Sequence, residues 1–232
     1  MCGHCVKSCG PDRMRVLLRP PFAAADAREP LASWPVTLFV MVVSGFVTFE
    51  LCGVWKAAEP VFLWVPVQVG NALQAGAAVG WIQGLWTVMV VPLLLWSALG
   101  AVTILLGGAG TLGDAWRRLA LPLAVIVAAG HIAKCLEKFT SWAGFLPGAL
   151  RDPIGVQTVM KLTAKTLPQP AAWLSLPALS AVSMLLLATA VFLAAREARL
   201  ADPAHGRSHI APLFLLGGFY FLLVCGWGGW GV

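Results

Sequence analysis

The sequence is poor in charge. Of its 232 residues only 11% are Asp, Glu, Lys or Arg, whereas soluble domains carry about 25%. Hydrophobic residues make up 59% of the chain and come in long blocks. So few charges cannot cover a water-facing surface, which excludes an ordinary soluble domain. The composition instead predicts an all-α, polytopic membrane helix bundle.

The sequence also lacks the signatures of several function classes. It has no G-x-S-x-G, H-E-x-x-H or P-loop motif, and no Rossmann fingerprint within a βαβ unit. Its basic residues stand in short clusters between apolar blocks, so the net charge of +6 does not predict nucleic-acid binding. The start of the chain has no apolar segment typical of a signal peptide. A single Tyr stands against 11 Trp, and we expect the tryptophans to anchor helix ends at the lipid headgroups.

Five apolar blocks are long enough to cross a hydrocarbon core of about 30 Å, which takes roughly 20 residues. These blocks lie at Trp34 to about Trp55, Trp86 to Leu106, Leu119 through the "GHIAKCLEKF" stretch, Trp173 to Ala195, and Ile210 to about Trp227. The chain therefore divides into a Cys-rich polar head, residues 1–33, and a transmembrane helical domain, residues 34–232.

Two further segments are predicted to be interfacial helices. The first runs from Val61 to Val79 and is interrupted on one helical face by Gln68, Asn71 and Gln74. An additional span ending at the Gly80–Gly84 turn is the alternative. The second is "PIGVQTVMKLTAK", in the long connection after the third span.

Orientation follows from the basic residues in the connections. With five spans, the head and the second and fourth connections share one side of the membrane, and most basic residues belong to them: Lys7, Arg13, Arg15, Arg19, Arg28, Arg117, Arg118, Arg196, Arg199 and Arg207. We therefore expect a multi-pass protein of the inner or plasma membrane, with its N-terminus in the cytoplasm and its C-terminus on the opposite side.

Three cysteines, Cys2, Cys5 and Cys9, stand at C-x2-C-x3-C spacing in the head. A disulfide is disfavoured for a cytoplasmic head because thiols stay reduced there. Zinc, with His4 between two of the thiols, and copper(I) are both compatible with these ligands. The spacing also matches the last three cysteines of the bacterial ferredoxin run C-x2-C-x2-C-x3-C-P, which holds iron–sulfur clusters.

The stretch "CGHCVKSCGPDRMRVLLRPP" resembles the distal ferredoxin motif of the polyferredoxin-like membrane 4Fe-4S binding proteins. That family includes membrane electron-transfer subunits of nitrate-reduction systems and flavin-bearing regulators of nitrous-oxide reduction. The resemblance covers about the first twenty residues, including the basic R-x-x-LRPP exit, and is only architectural beyond them. The chain departs from the motif by lacking the first cysteine and by carrying Gly10 in place of proline, with Pro11 one residue later.

The resemblance implies that Cys2 and Cys5 are ligands of one [4Fe-4S] cluster and that Cys9 is a ligand of its partner cluster. It also implies that the chain is the C-terminal portion of a longer protein, with an upstream ferredoxin module or a partner redox subunit supplying the other ligands. The expected function is electron transfer between a cytoplasmic cluster module and a membrane or partner acceptor, such as a quinone. A redox subunit is then more plausible than a self-sufficient enzyme. The first alternative is a small copper or zinc transporter or permease with a Cys/His metal-binding head, and the second is a scaffold subunit with no chemistry of its own.

Inside the membrane, His131, Lys134 and Lys138 share one face of the third span. His131 is the candidate for a quinone or proton site, with haem ligation as a weaker option. The competing interpretation is a helix end at which both lysines reach toward the headgroups. Glu50 is expected to pair with a lysine, Lys56 being near in sequence. The other three cysteines, Cys52, Cys135 and Cys225, are expected to behave as small hydrophobic residues.

Overall fold

The computed structural model describes residues 31–166, 172–201 and 206–229 of the chain. Helices and their connections make up these ranges, which contain no β-strand. The all-α prediction is therefore confirmed. Cys2, Cys5 and Cys9 lie outside the described residues, and so does most of the polar head.

Eight helical segments occupy the described ranges: α1 (Trp34–Cys52), α2 (Ala58–Ala72), α3 (Gly76–Leu105), α4 (Leu112–Trp142), α5 (Leu146–Arg151), α6 (Val156–Thr163), α7 (Leu176–Ala201) and α8 (Gly206–Trp227). A short 3₁₀ turn joins α4 to α5, so the two make one long helical segment. Five segments are long and apolar enough to cross a bilayer: α1, α3, α4 with α5, α7 and α8. The chain is a multi-pass membrane protein, and its described residues contain five candidate spans, the number predicted from the sequence.

Successive spans run in alternating directions. The start of α1 lies beside the start of α4, where the backbone N–H of Ala32 donates to the carbonyl of Arg117 at 3.1 Å. The end of α1 lies beside the later part of α4, where Glu50 meets Lys134. These two helices are therefore parallel, as a first and a third span must be. We call the end of the bundle at which α1 begins the head end, and the opposite end the far end.

A polar network within the core joins α1, α3 and α8. Tyr220, the single tyrosine, is fully buried and donates a hydrogen bond to the carbonyl of Ser44 at 3.0 Å. The Ser44 hydroxyl in turn accepts a bond from Trp96 Nε1 at 2.9 Å. Because hydrocarbon offers no hydrogen bonds, such buried groups are satisfied by neighbouring helices and fix their relative rotation.

This network corrects part of the expectation for the tryptophans. Trp96 is fully buried in the core, and Trp227, also buried, donates from Nε1 to the carbonyl of Leu51 at 3.0 Å. Other tryptophans are largely exposed, as headgroup anchors would be: Trp34, Trp64, Trp81, Trp142 and Trp173. Whether a tryptophan is buried depends on which face of its helix packs in the core, so the number of tryptophans does not predict their positions.

The span α3 is not a uniform α-helix. Residues Trp86–Val90 form a π-helical turn just before Pro92, whose missing N–H and bulky ring disturb regular winding. Gly45 of α1 faces this irregular turn, and a side chain there would overlap the Thr87 carbonyl and the Pro92 ring. Gly45 therefore lets α1 and α3 approach closely, as small residues do between membrane helices.

The Val61–Val79 segment is not one helix: its first part lies in α2 (Ala58–Ala72), the chain turns at residues 73–75, and its last residues belong to α3. The alternative of an extra span ending at Gly80–Gly84 does not hold, because α3 already begins at Gly76. α2 packs against α3 at Gly70, where an added Cβ would lie 3.0 Å from a methyl group of Val79. Its polar and apolar surface residues are both exposed, and only Pro66 and Gly70 are buried.

The second segment expected at the interface forms α6. Its eight residues follow Asp152, whose carboxylate accepts hydrogen bonds from the backbone N–H and the hydroxyl of Thr158, at 2.7 and 2.9 Å. Ile154, Val159 and Met160 are more than half exposed. The placement of α2 and α6 at the membrane interface stays a prediction.

Candidate functional site

The polar head joins the bundle through a reciprocal contact with α4. Ala32 is buried, and its carbonyl accepts a hydrogen bond from Arg117 Nε at 2.8 Å while its N–H donates to the Arg117 carbonyl. The same guanidinium stands 5.9 Å from the ring centroid of Trp34, within the range of a cation–π interaction. Arg117 thus fixes the point at which the cysteine-bearing segment leaves the membrane domain.

The described residues form no metal-binding group of their own. They contain no group of three or more His, Cys, Asp or Glu side chains close enough to hold a metal ion. Cys52, Cys135 and Cys225 are free thiols. Cys52 is in the core, as expected for a small hydrophobic residue, whereas Cys225 is half-buried and Cys135 is exposed.

A cluster of three charged residues lies toward the far end of the bundle, between α1 and α4. Lys134 Nζ lies 2.8 Å from Glu137 Oε2 and 3.9 Å from Glu50 Oε2. The lysine side chain is only 11% exposed, and the two carboxylates keep 19% and 26% exposure. One ammonium therefore faces two carboxylates inside the protein. Charged groups at such depth are costly unless paired, and they are frequent at proton and ion sites of membrane proteins.

This cluster corrects two expectations from the sequence. Lys134 does not reach toward the headgroups, because its side chain is buried and ion-paired. Of the two lysines expected at the headgroups, only Lys138 is exposed. Glu50 pairs with Lys134 of another span and not with Lys56, its neighbour in sequence. Sequence separation favoured the nearer lysine, but the parallel packing of α1 and α4 decides the partner.

His131 lies one turn before Lys134 on the exposed side of α4. Its Nε2 is 3.7 Å from Cys135 Sγ, and its ring centroid is 6.2 Å from that of Phe46 on α1. The imidazole is exposed on the surface of the bundle, so a molecule at that surface can reach it. His131 and the charge cluster together form the far-end polar site.

The far-end polar site lies well away from the point at which Ala32 contacts the bundle. The head joins the bundle at the level of Arg117, and the cluster lies at the level of Lys134. At 1.5 Å per helical residue, the 17 residues between these levels correspond to about 25 Å along α4. His131 therefore lies toward the opposite end of α4 from the Ala32–Arg117 contact.

One contact of these sites could not be predicted from the sequence. The Arg117–Ala32 contact joins residues 85 positions apart, and the sequence marks Arg117 only as one of the basic residues of a connection. The G-x-G-x-x-G pattern at residues 108–113 does not indicate a dinucleotide-binding site, because it lies at the connection between α3 and α4 and follows no strand.

Comparison of the chain with protein-family models, with curated proteins and with solved structures finds no match.

Proposed function

We propose that the chain is the membrane domain of an iron–sulfur electron-transfer protein, with Cys2, Cys5 and Cys9 as thiolate ligands in the head. The C-x2-C-x3-C spacing carries the proposal, because it matches the ferredoxin run and is followed by the basic R-x-x-LRPP exit. The anchored head is consistent with it, since the Ala32–Arg117 contact fixes where the head leaves the bundle.

The three head cysteines are fewer than the ligands that a [4Fe–4S] cluster needs. A [4Fe–4S] cluster needs four ligands, and thiolates are the usual ones. Three cysteines are present in the head, and the described part of the bundle adds no cluster of ligands. The proposal therefore requires further ligands from an additional redox module or a partner subunit. When bound, such a cluster would supply one-electron chemistry, and this chain would hold it at the head end.

Metal analysis tests the proposal. Protein isolated anaerobically from its native membrane should contain iron and acid-labile sulfide in stoichiometric amounts and absorb broadly in the visible range. Cys2→Ser or Cys5→Ser should remove one cluster, and Cys9→Ser should affect the other. Cys225→Ser, a half-buried thiol near the far end, serves as the matched control and should change neither quantity.

The alternative function is metal-ion transport with a Cys/His head. Stoichiometric zinc or copper in place of iron and sulfide would overturn the electron-transfer proposal and favour this alternative. Soft thiolates bind copper(I) well, and C-x2-C supplies half of a tetrahedral zinc site.

The head end is proposed to face the cytoplasm of an inner or plasma membrane. Arg117, Arg118, Arg196 and Arg199 all belong to that end, and basic residues favour the cytoplasmic side. Reporter fusions after Arg118 and Arg199 should therefore report the cytoplasm, and a fusion after Lys161 or Val232 the opposite side. The reverse pattern would overturn the orientation without changing the span count.

His131 is the proposed quinone or proton site of this electron-transfer protein. The favouring observation is its position, exposed to the bundle surface and one turn from the ion-paired Lys134. Its imidazole would exchange a proton with a bound molecule, as histidine does near neutral pH. His131→Gln keeps size and hydrogen bonding but removes titration, so turnover of the intact complex should fall while expression stays normal. Unchanged turnover in His131→Gln would return His131 to a structural role.

A further inference from the structure

A groove of about 680 Å³ opens on the surface of the bundle between α7 and α8. Its volume lies within the usual range of small-molecule sites, about 300–1,000 Å³. Apolar side chains line most of it, among them Leu187, Phe192 and Phe221. Two basic residues, Arg196 and Arg199, also line it, toward the head end. The groove is thus amphipathic along its length.

Two adjacent glycines of α8 shape this groove. A side chain at Gly217 would overlap Val191 of α7, so the two helices are in close contact there. A Cβ at Gly218 would meet no atom within 4 Å, which leaves open space beside the contact. Phe192 and Phe214 flank this space, and their side chains are 66% and 57% exposed.

The length of the groove matches one leaflet of a bilayer. Nine residues separate Leu187 from Arg196, which corresponds to about 14 Å along α7. Half of a hydrocarbon core of about 30 Å is close to this length. An acyl chain lying along the groove would therefore place its polar end at the level of Arg196 and Arg199.

The two arginines determine which polar end fits. Both are exposed, and within the described part of the chain neither forms an ion pair with a carboxylate. Guanidinium groups bind phosphate oxygens through paired hydrogen bonds. We propose that this groove is a binding site for one anionic phospholipid, whose acyl chain lies between α7 and α8 and whose phosphate is held by Arg196 and Arg199.

Native mass spectrometry of the purified chain tests this site. The probes are phosphatidylglycerol and phosphatidylcholine with identical acyl chains, added in equal amounts. One phosphatidylglycerol should remain bound in preference to phosphatidylcholine. A basic residue near the membrane surface contributes roughly fivefold in binding, so the double variant Arg196→Gln/Arg199→Gln should weaken phosphatidylglycerol binding about 30-fold. Replacement of both by Lys should retain most of the preference.

Variants of matched chemistry separate this groove from general lipid binding. Gly218→Leu should fill the groove and weaken both lipids, whereas Gly84→Leu, an equally open helical glycine of α3, should weaken neither. Arg151→Gln, which removes an exposed arginine at the far end, should leave the preference unchanged. Equal retention of the two lipids by the wild type would overturn the proposal. So would a loss after Arg151→Gln as large as that after the double substitution, or unaltered binding in the Gly218 variant.

Discussion

Removing the cation of the far-end polar site should destabilise the bundle strongly. Lys134→Met keeps most of the side-chain volume but leaves the carboxylates of Glu50 and Glu137 facing each other without an ammonium group. Breaking a buried ion pair in this way costs about 3–5 kcal/mol. Because Glu137 and Glu50 keep 19% and 26% exposure, water relieves part of the cost, and we expect a loss of about 2–3 kcal/mol in the free energy of unfolding.

The assay is reversible unfolding in detergent micelles followed by tryptophan fluorescence. Lys138→Met removes an exposed lysine one turn further along α4 and should stay within about 0.5 kcal/mol of the wild type. Adding Glu137→Gln to Lys134→Met should restore more stability than adding Glu50→Gln, since the unpaired Glu137 carboxylate is less exposed, at 19% against 26%. If Lys134→Met is as stable as Lys138→Met, the charge cluster is not a buried ion pair.

Three further outcomes follow from the packing and the connections. Gly45→Ala should lower the free energy of unfolding by about 1–3 kcal/mol, because the added methyl group overlaps α3 where α1 and α3 are in close contact. An unchanged free energy of unfolding would refute the close contact between these helices. Tyr220→Phe removes the hydroxyl bonded to Ser44 and should cost about 0.6–1 kcal/mol in the same assay. The hydrogen bond from the backbone N–H of Thr158 lowers the pKa of Asp152 from its ordinary 3.8. The ionised carboxylate should therefore stabilise α6 above pH 3.8, and this stabilisation should be lost as the pH falls through the lower pKa of the folded state. Hydrogen exchange in α6 should accordingly speed up in Asp152→Ala near neutral pH, and equal exchange in wild type and variant would contradict the capping role.

The span count could be read from the sequence because membrane crossing depends on length and apolar content, which are local properties. The block from Trp34 predicts α1 almost to its ends, and the polar interruptions at Gln68 and Asn71 predict that α2 is a separate helix. Boundaries were less accurate where a helix extends beyond its apolar block. The third span begins at Leu112, before the predicted Leu119, because Thr111 caps the helix through the backbone N–H of Asp114.

Pairing between helices could not be read in the same way. His131, Lys134 and Lys138 share a face by sequence spacing, yet Lys134 is buried while His131 and Lys138 are exposed. That difference arises from the line along which α1 packs on α4, which depends on contacts between residues more than 80 positions apart. The Trp96–Ser44 hydrogen bond likewise depends on packing between helices, here of α3 on α1. Polar residues of a membrane span can be found in a sequence, but their partners require the packing of the bundle.

Electron paramagnetic resonance of the protein in its native membrane is the most direct test of the proposed function. After chemical reduction under anaerobic conditions, wild-type membranes should give the signal of a reduced [4Fe–4S] cluster. The part of this signal that comes from the cluster bound by Cys2 and Cys5 should be lost in Cys5→Ser, and the whole signal should be retained in Cys52→Ser, which changes a buried thiol of α1. A wild-type membrane without any iron–sulfur signal, or one whose signal is identical in Cys5→Ser, would contradict the assignment of Cys2, Cys5 and Cys9 as cluster ligands.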